Sequence, residues 1–96
     1  MFVVVNSMMG GKDAIAVFSK VNGAESFIKA SSISNPSIEE LPVSGDYKYP
    51  NAIFAAQEYL GSKDIHEFIG LYSHFDDAKS AVGKHGLALK FVPDSE

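Results

Sequence analysis

The sequence predicts an α+β fold made of a strand–strand–helix–strand unit written twice. Three observations predict it. Two apolar segments each run into a glycine turn, and a second strand-like segment follows each turn. Two later segments carry apolar residues at helical spacing. These patterns also recur along the chain: Phe2–Asp13 matches Ile53–Asp64 at an offset of 53 − 2 = 51, and Val17–Lys29 matches Leu71–Gly83 at 71 − 17 = 54. Gly10, Lys12 and Asp13 recur as Gly61, Lys63 and Asp64, and Ser19, Ala24 and Ser26 as Ser73, Ala78 and Ser80. The change of offset asks for a three-residue insertion, expected in the second strand of the second copy.

Residues 2–6 and 14–18 read as a hairpin closed by Gly10-Gly11. Ser19 then stands where an N-cap belongs, its hydroxyl able to accept a free N–H of the first helical turn. Val21, Ala24, Phe27 and Ile28 give the helix one apolar stripe, and Ser31-Ser32 and Asn35-Pro36 close it. A third strand is expected over Ile38–Val43, at an edge because of Pro42. Residues 44–52 form a polar, turn-rich linker with two exposed-looking tyrosines, Tyr47 and Tyr49.

The second copy repeats the order: strands at 53–59 and 65–72, Ser73 as N-cap, and a helix with Phe75, Ala78, Ala81 and Val82 on one face. Asp76 suits a capping box loosely and favours the helix N-terminus through its charge. Gly86 is expected to end this helix, and Leu87–Val92 to form the last strand. A unit of about 45 residues is too small to bury a stable core alone, so the copies must pack together. The expectation is one domain over 1–96, with pseudo-repeats 2–43 and 53–92 around a pseudo-twofold and two helices on an antiparallel sheet. A ferredoxin-like arrangement is the alternative, should either third strand prove to be loop.

Composition narrows the functions. Hydrophobic residues make up 46% and charged residues 21%, which is globular rather than disordered. With no cysteine, thiolate metal sites, disulfides and cysteine nucleophiles are excluded. No apolar run approaches the roughly 20 residues of a membrane helix, and no cationic stretch precedes Phe2–Val5, so that run is not expected to be a signal peptide. These features lead us to expect a cytoplasmic protein without membrane contact. The net charge is −4, and all eight basic residues are lysine. Arginine is the residue of bidentate phosphate contacts, so its absence argues against specific nucleic-acid recognition.

No catalytic constellation emerges. Met9-Gly10-Gly11-Lys12-Asp13 lacks the spacing of a phosphate loop and the hydroxyl residue after the lysine, and it reads as a turn. His74 and His85, eleven residues apart on one helix, would stand roughly 16 Å from each other, too far to share a metal. Asp76-Asp77 and Glu39-Glu40 are adjacent carboxylates whose side chains diverge, unlike an opposed acid and base. No serine sits in a nucleophile elbow. The sequence therefore predicts no enzyme, no metal and no cofactor.

The unusual feature is apolar residues at both hairpin tips: Met8 and Met9 before Gly10, and Tyr59 and Leu60 before Gly61. Loop tips are normally polar. Methionine adapts to partners and tyrosine favours interfaces, so Met8, Met9, Tyr47, Tyr49, Tyr59 and Leu60 are the candidate partner-binding residues. The plain alternative is that the tip residues are strand ends reaching into a shared core.

The leading expectation is a small protein-binding module that occupies a partner protein as an inhibitor, adaptor or regulatory subunit. Compact cysteine-free domains of this kind look like the small accessory proteins that phages encode, many of which bind and block a host enzyme. That resemblance is one of style and implies an inhibitor acting in the host cytoplasm. The second expectation is a small-molecule site between the repeats, with His66, Tyr72 and His74 as its first residues. The third is single-stranded nucleic-acid binding by aromatics on an open sheet. Exposed edge strands would permit a homodimer in each case.

Overall fold

The computed structural model describes residues 1–8, 10–61 and 65–95. Its elements are β1 (Phe2–Met8), β2 (Gly11–Phe18), α1 (Val21–Ala30), β3 (Pro36–Glu40), β4 (Val43–Ser44), β5 (Ile53–Tyr59), β6 (His66–Tyr72), α2 (Phe75–Val82) and β7 (Leu87–Phe91). The fold is α+β, with two helices on a mixed, open seven-stranded sheet. Its order is β3-β1-β2-β6-β5-β7, with β4 beside β6. Each run of strand, strand, helix and strand therefore fills one half of the sheet, its first strand central and its third strand outermost.

The expected antiparallel sheet is corrected at the join. Within each half all pairing is antiparallel, but β2 meets β6 in parallel at Lys12 and Glu67, and β4 runs parallel to β6. The cause is the path of the chain: after β3 it crosses to the far end of β6 and lays Val43 and Ser44 against Leu71 and Tyr72. The C-terminal segment makes a comparable crossing in the other direction. After β7 it returns to the end of β2, where the Asp94 N–H donates to the Val17 carbonyl at 3.0 Å.

Strand alternation gives each half an inner and an outer face. Val3, Val5, Ala14 and Val17 share one buried cluster with Ile53, Ala55, Phe68 and Leu71, so the two halves hold a common core. The opposite face of the first half, with Val4, Ala16 and Phe18, is covered by Ala24, Phe27 and Ile28 of α1. On the second half, α2 covers the face bearing Phe54, whose ring meets Phe75 edge-on at 5.9 Å. Ala24 and Ala78 are the buried residues of their helices, and their small side chains let each helix approach its sheet. Val21, Phe75 and Ala81, expected on the buried stripes, are exposed.

Both second strands carry a bulge. Val4 pairs with Ala16 and Val5 with Ala14, leaving Ile15 extra; Ala56 pairs with Gly70 and Gln57 with Phe68, leaving Ile69 extra. Since the bulge occurs in both halves, the length difference between them falls in the turn between strands, not within β6.

The cap predictions are corrected as well. The N-caps are Lys20 and His74, neither giving a side-chain bond to its helix. Ser19 and Ser73 are held one residue earlier by the two crossing segments: the Ser73 N–H donates to the Ser44 carbonyl at 2.9 Å, and the Ser19 N–H to Asp94 Oδ1 at 2.9 Å. Gly83, at φ +73°, is the C-cap of α2 in place of Gly86. The linker is shorter and more engaged than expected, because Val43–Ser44 forms β4 and Tyr47 packs on the shared core.

Candidate functional site

The starts of β2 and β6 lie side by side. The parallel bridge between Lys12 and Glu67 joins the second residues of β2 and β6, so Met8 and Tyr59, which end the preceding strands and pair with Gly11 and His66, reach the same end of the sheet. Gly11 makes this approach feasible: a Cβ there would come within 2.5 Å of the His66 carbonyl oxygen and 3.0 Å of Ile65 Cγ2. Lys12 secures the same corner with an ion pair to Glu39 at 2.6 Å and a longer one to Glu67 at 4.0 Å. These carboxylates thus serve the lysine, and Asp76 and Asp77 stand exposed in the first turn of α2.

The tip residues are not core. Met8 is 51% exposed, Leu60 42% and Tyr59 38%. Met9 and Ser62–Asp64 lie outside the described residues, so that part of the candidate surface and the Lys63-Asp64 echo carry no structural account. Tyr59 has a histidine ring on either side, His66 at 5.6 Å and His85 at 6.0 Å between centroids. Leu87, also exposed, pairs with Gln57 near the same end. In sequence His85 is weighed as a metal ligand, and neither it nor Leu87 is placed beside Tyr59, because that proximity depends on β7 returning beside β5.

Tyr47 and Tyr49 belong elsewhere. The half-buried Tyr47 donates its hydroxyl to the Asn51 carbonyl at 2.8 Å. Tyr49 is exposed and donates to Asp94 Oδ2 at 2.7 Å. Asp94 collects three bonds in all, since Ser19 also gives its N–H to Oδ1 at 2.9 Å and its hydroxyl to Oδ2 at 2.6 Å. Those bonds favour the charged form, the Ser19 hydroxyl foremost, and hold the Asp94 carboxyl below the usual carboxylate range. The same arrangement, led by the bond to Asp94, raises the Tyr49 hydroxyl above its ordinary value. Burial is the main reason that Tyr47 is raised too.

A pH prediction follows. A carboxyl depressed in the folded state stabilises the fold above its unfolded value, about 3.9, and that contribution fades as pH falls through the lower folded value. Asp94→Asn should therefore lower the melting temperature at pH 7 while leaving it unchanged below the folded pKa, so the two curves converge in acid. Parallel curves from pH 7 to pH 2 would mean that the Asp94 charge adds nothing to the stability of the fold.

The alternative pocket residues are not gathered. His66 and Tyr72 open and close β6, six residues and roughly 20 Å apart at about 3.3 Å per residue. His74 is the exposed N-cap of α2. Two depressions lie elsewhere among the described residues. One of 410 Å³ is lined by Met1, Glu40, Leu41 and Pro42, and one of 380 Å³ by Phe18, Gly23, Ser26, Phe27, Ala30 and Asp94. Neither touches His66, Tyr72 or His74.

Among the described residues there is no group of three or more His, Asp or Glu able to hold a metal, and no helix is long and apolar enough to cross a membrane. No protein-family model matches the chain, and no curated protein or solved structure matches it significantly.

Proposed function

We propose that this protein is a non-enzymatic binding module that occupies a partner protein with the paired hairpin tips, as an inhibitor, adaptor or regulatory subunit. One observation carries the reading: two neighbouring hairpins hold Met8, Tyr59 and Leu60, three of the nine exposed large apolar side chains among the described residues, at the same end of the sheet. Exposed apolar groups gathered at one end favour association more than the same groups scattered singly. Tyrosine and methionine are enriched in such contacts. A cytoplasmic setting goes with the proposal.

The test is capture from a lysate of the source cell. A variant carrying Met8→Ser and Leu60→Ser should keep its melting temperature within a few degrees and lose a stoichiometric partner, with affinity falling at least about tenfold, or 1.4 kcal/mol. Capture untouched by the folded variant would end the tip reading.

We also infer that the chain is an internal duplication with a pseudo-twofold, one domain over 1–96. Support comes from the mirrored strand order, the bulges at Ile15 and Ile69, and the helix starts at Val21 and Phe75. A sequence echo supports it as well: Leu41-Pro42-Val43-Ser44 and Val92-Pro93-Asp94-Ser95 are the two crossing segments. A ferredoxin-like unit has the order βαββαβ, and two adjacent strands before each helix fit the duplication better.

A further inference from the structure

The two edges of the sheet are built differently. At one end β3 begins with Pro36, carries Glu39 and Glu40, and is followed by Pro42. Prolines and charges of this kind keep an edge from pairing with another strand. At the other end β7 reads Leu87-Ala88-Leu89-Lys90-Phe91, with no proline, one charge, and an unbroken register against β5 from Ile53 to Gln57. It packs on β5 and α2, and no further strand pairs with it among the described residues. Its outer N–H and C=O groups face away from the sheet, and Leu87 at its start is 39% exposed.

We propose that β7 pairs with β7 of a second copy, antiparallel about a twofold axis at Leu89. The charge pattern suits a second copy in this direction, because the single charge of β7 then meets no like charge. About Leu89, Leu87 stands opposite the partner copy's Phe91, and Lys90 opposite its Ala88, so no lysine faces a lysine. Parallel pairing in register would set Lys90 beside its own copy, and like charges across strands are destabilising. The antiparallel contact is self-complementary and closes at two subunits.

The pairing has a functional consequence, which alone rests on the tip reading. Leu87 lies toward the tips, since it pairs with Gln57, and Phe91 lies toward the opposite end, beside Ile53. Antiparallel pairing therefore turns the tips of the two copies away from each other. The dimer would be bivalent, joining two partner molecules rather than gripping one twice.

A five-residue edge makes a small interface, so the expected dissociation constant is on the order of 100 μM. Sedimentation equilibrium from about 10 μM to about 1 mM should show a monomer–dimer transition. Amide exchange in β7 should slow as the dimer fills. Leu87→Lys, at an exposed position, should weaken dimerisation at least about tenfold. Ala88→Lys should abolish it by facing the partner copy's Lys90 twice, and adding Lys90→Glu should restore it. A monomer throughout the range, a dimer whose β7 amides exchange freely, or a dimer indifferent to Leu87→Lys would overturn the proposal. The Met8→Ser, Leu60→Ser variant should dimerise normally. Leu87→Lys should still capture a partner one to one, so the two readings fail independently.

Discussion

Gln57→Leu should lower the unfolding free energy by about 3 kcal/mol, close to half of what a marginal small domain has. Gln57 is 2% exposed and follows four apolar residues in β5, the first polar side chain of that strand. Its Oε1 accepts the Ala14 N–H at 2.7 Å, and its Nε2 donates to Asp13 Oδ1 at 3.1 Å. The need for it arises where the halves join. The ladder between β2 and β6 consists of one bridge at Lys12 and Glu67, after which Ala14 has no strand to donate to. The amide of Gln57 serves as that missing strand. Leucine fills similar space but leaves a buried N–H unpaired, which costs about 1–3 kcal/mol by itself. Urea denaturation of both proteins measures the difference, and a loss under about 0.5 kcal/mol would show that the amide is dispensable.

Gln57→Glu separates hydrogen bonding from size. Glutamate keeps the acceptor for Ala14, loses the donor, and turns a carboxylate toward Asp13. Burial and that neighbour would raise the folded pKa of residue 57 above its unfolded value, about 4.3. A carboxyl raised in this way destabilises the fold at neutral pH, and the penalty lifts as pH falls through the folded value toward the unfolded one. The variant should therefore close its stability gap to the wild type between neutral pH and about pH 4. Gln57→Leu should show no such closing.

The contrast between Gln57 and the hairpins marks what the chain made legible. Hairpins and helices depend on neighbours in sequence: Gly10 and Gly61 adopt the positive φ their turns require, and Ala24 with Phe27 and Ile28 gives a helical period. Those elements were readable, as was the apolar character of Met8, Tyr59 and Leu60. Gln57 also left a trace, a lone amide in Ile53–Tyr59, but its partner lies 43 positions away and no local pattern points to it.

The crossing segments were hidden for a similar reason. Ser19 and Ser73 look like N-caps because the local alternatives are few, yet each is claimed by chain from the other half. Leu41-Pro42 and Val92-Pro93 held the available signal, since an echo beyond the third strand implies that those residues do a shared task. Tyr49 could not have been tied to Asp94 without that crossing. Its apolar ring and exposure are visible in sequence, and the role of its hydroxyl is not.

The crossing at β4 yields the other large effect. Gly45→Ala should destabilise the protein by about 3 kcal/mol, from backbone strain and a collision together. Gly45 has φ +95°, a conformation that side-chain-bearing residues rarely adopt, and a Cβ there would run into Ser73 Oγ. That hydroxyl is buried without a hydrogen-bond partner among the described residues, so it contributes little where it stands. Ser73→Ala alone should thus be neutral or stabilise by up to about 1 kcal/mol. Combined with Gly45→Ala it should remove the collision and leave the strain, bringing the loss down to about 1–2 kcal/mol. A double-mutant cycle then reads a coupling of about 1 kcal/mol between residues that share no hydrogen bond. Simple additivity would mean that φ alone demands glycine at this turn. Coupling would mean that the close passage of residues 43–45 over Ser73 demands it, and loosening that passage should also speed amide exchange at Ser73, whose N–H is held by Ser44.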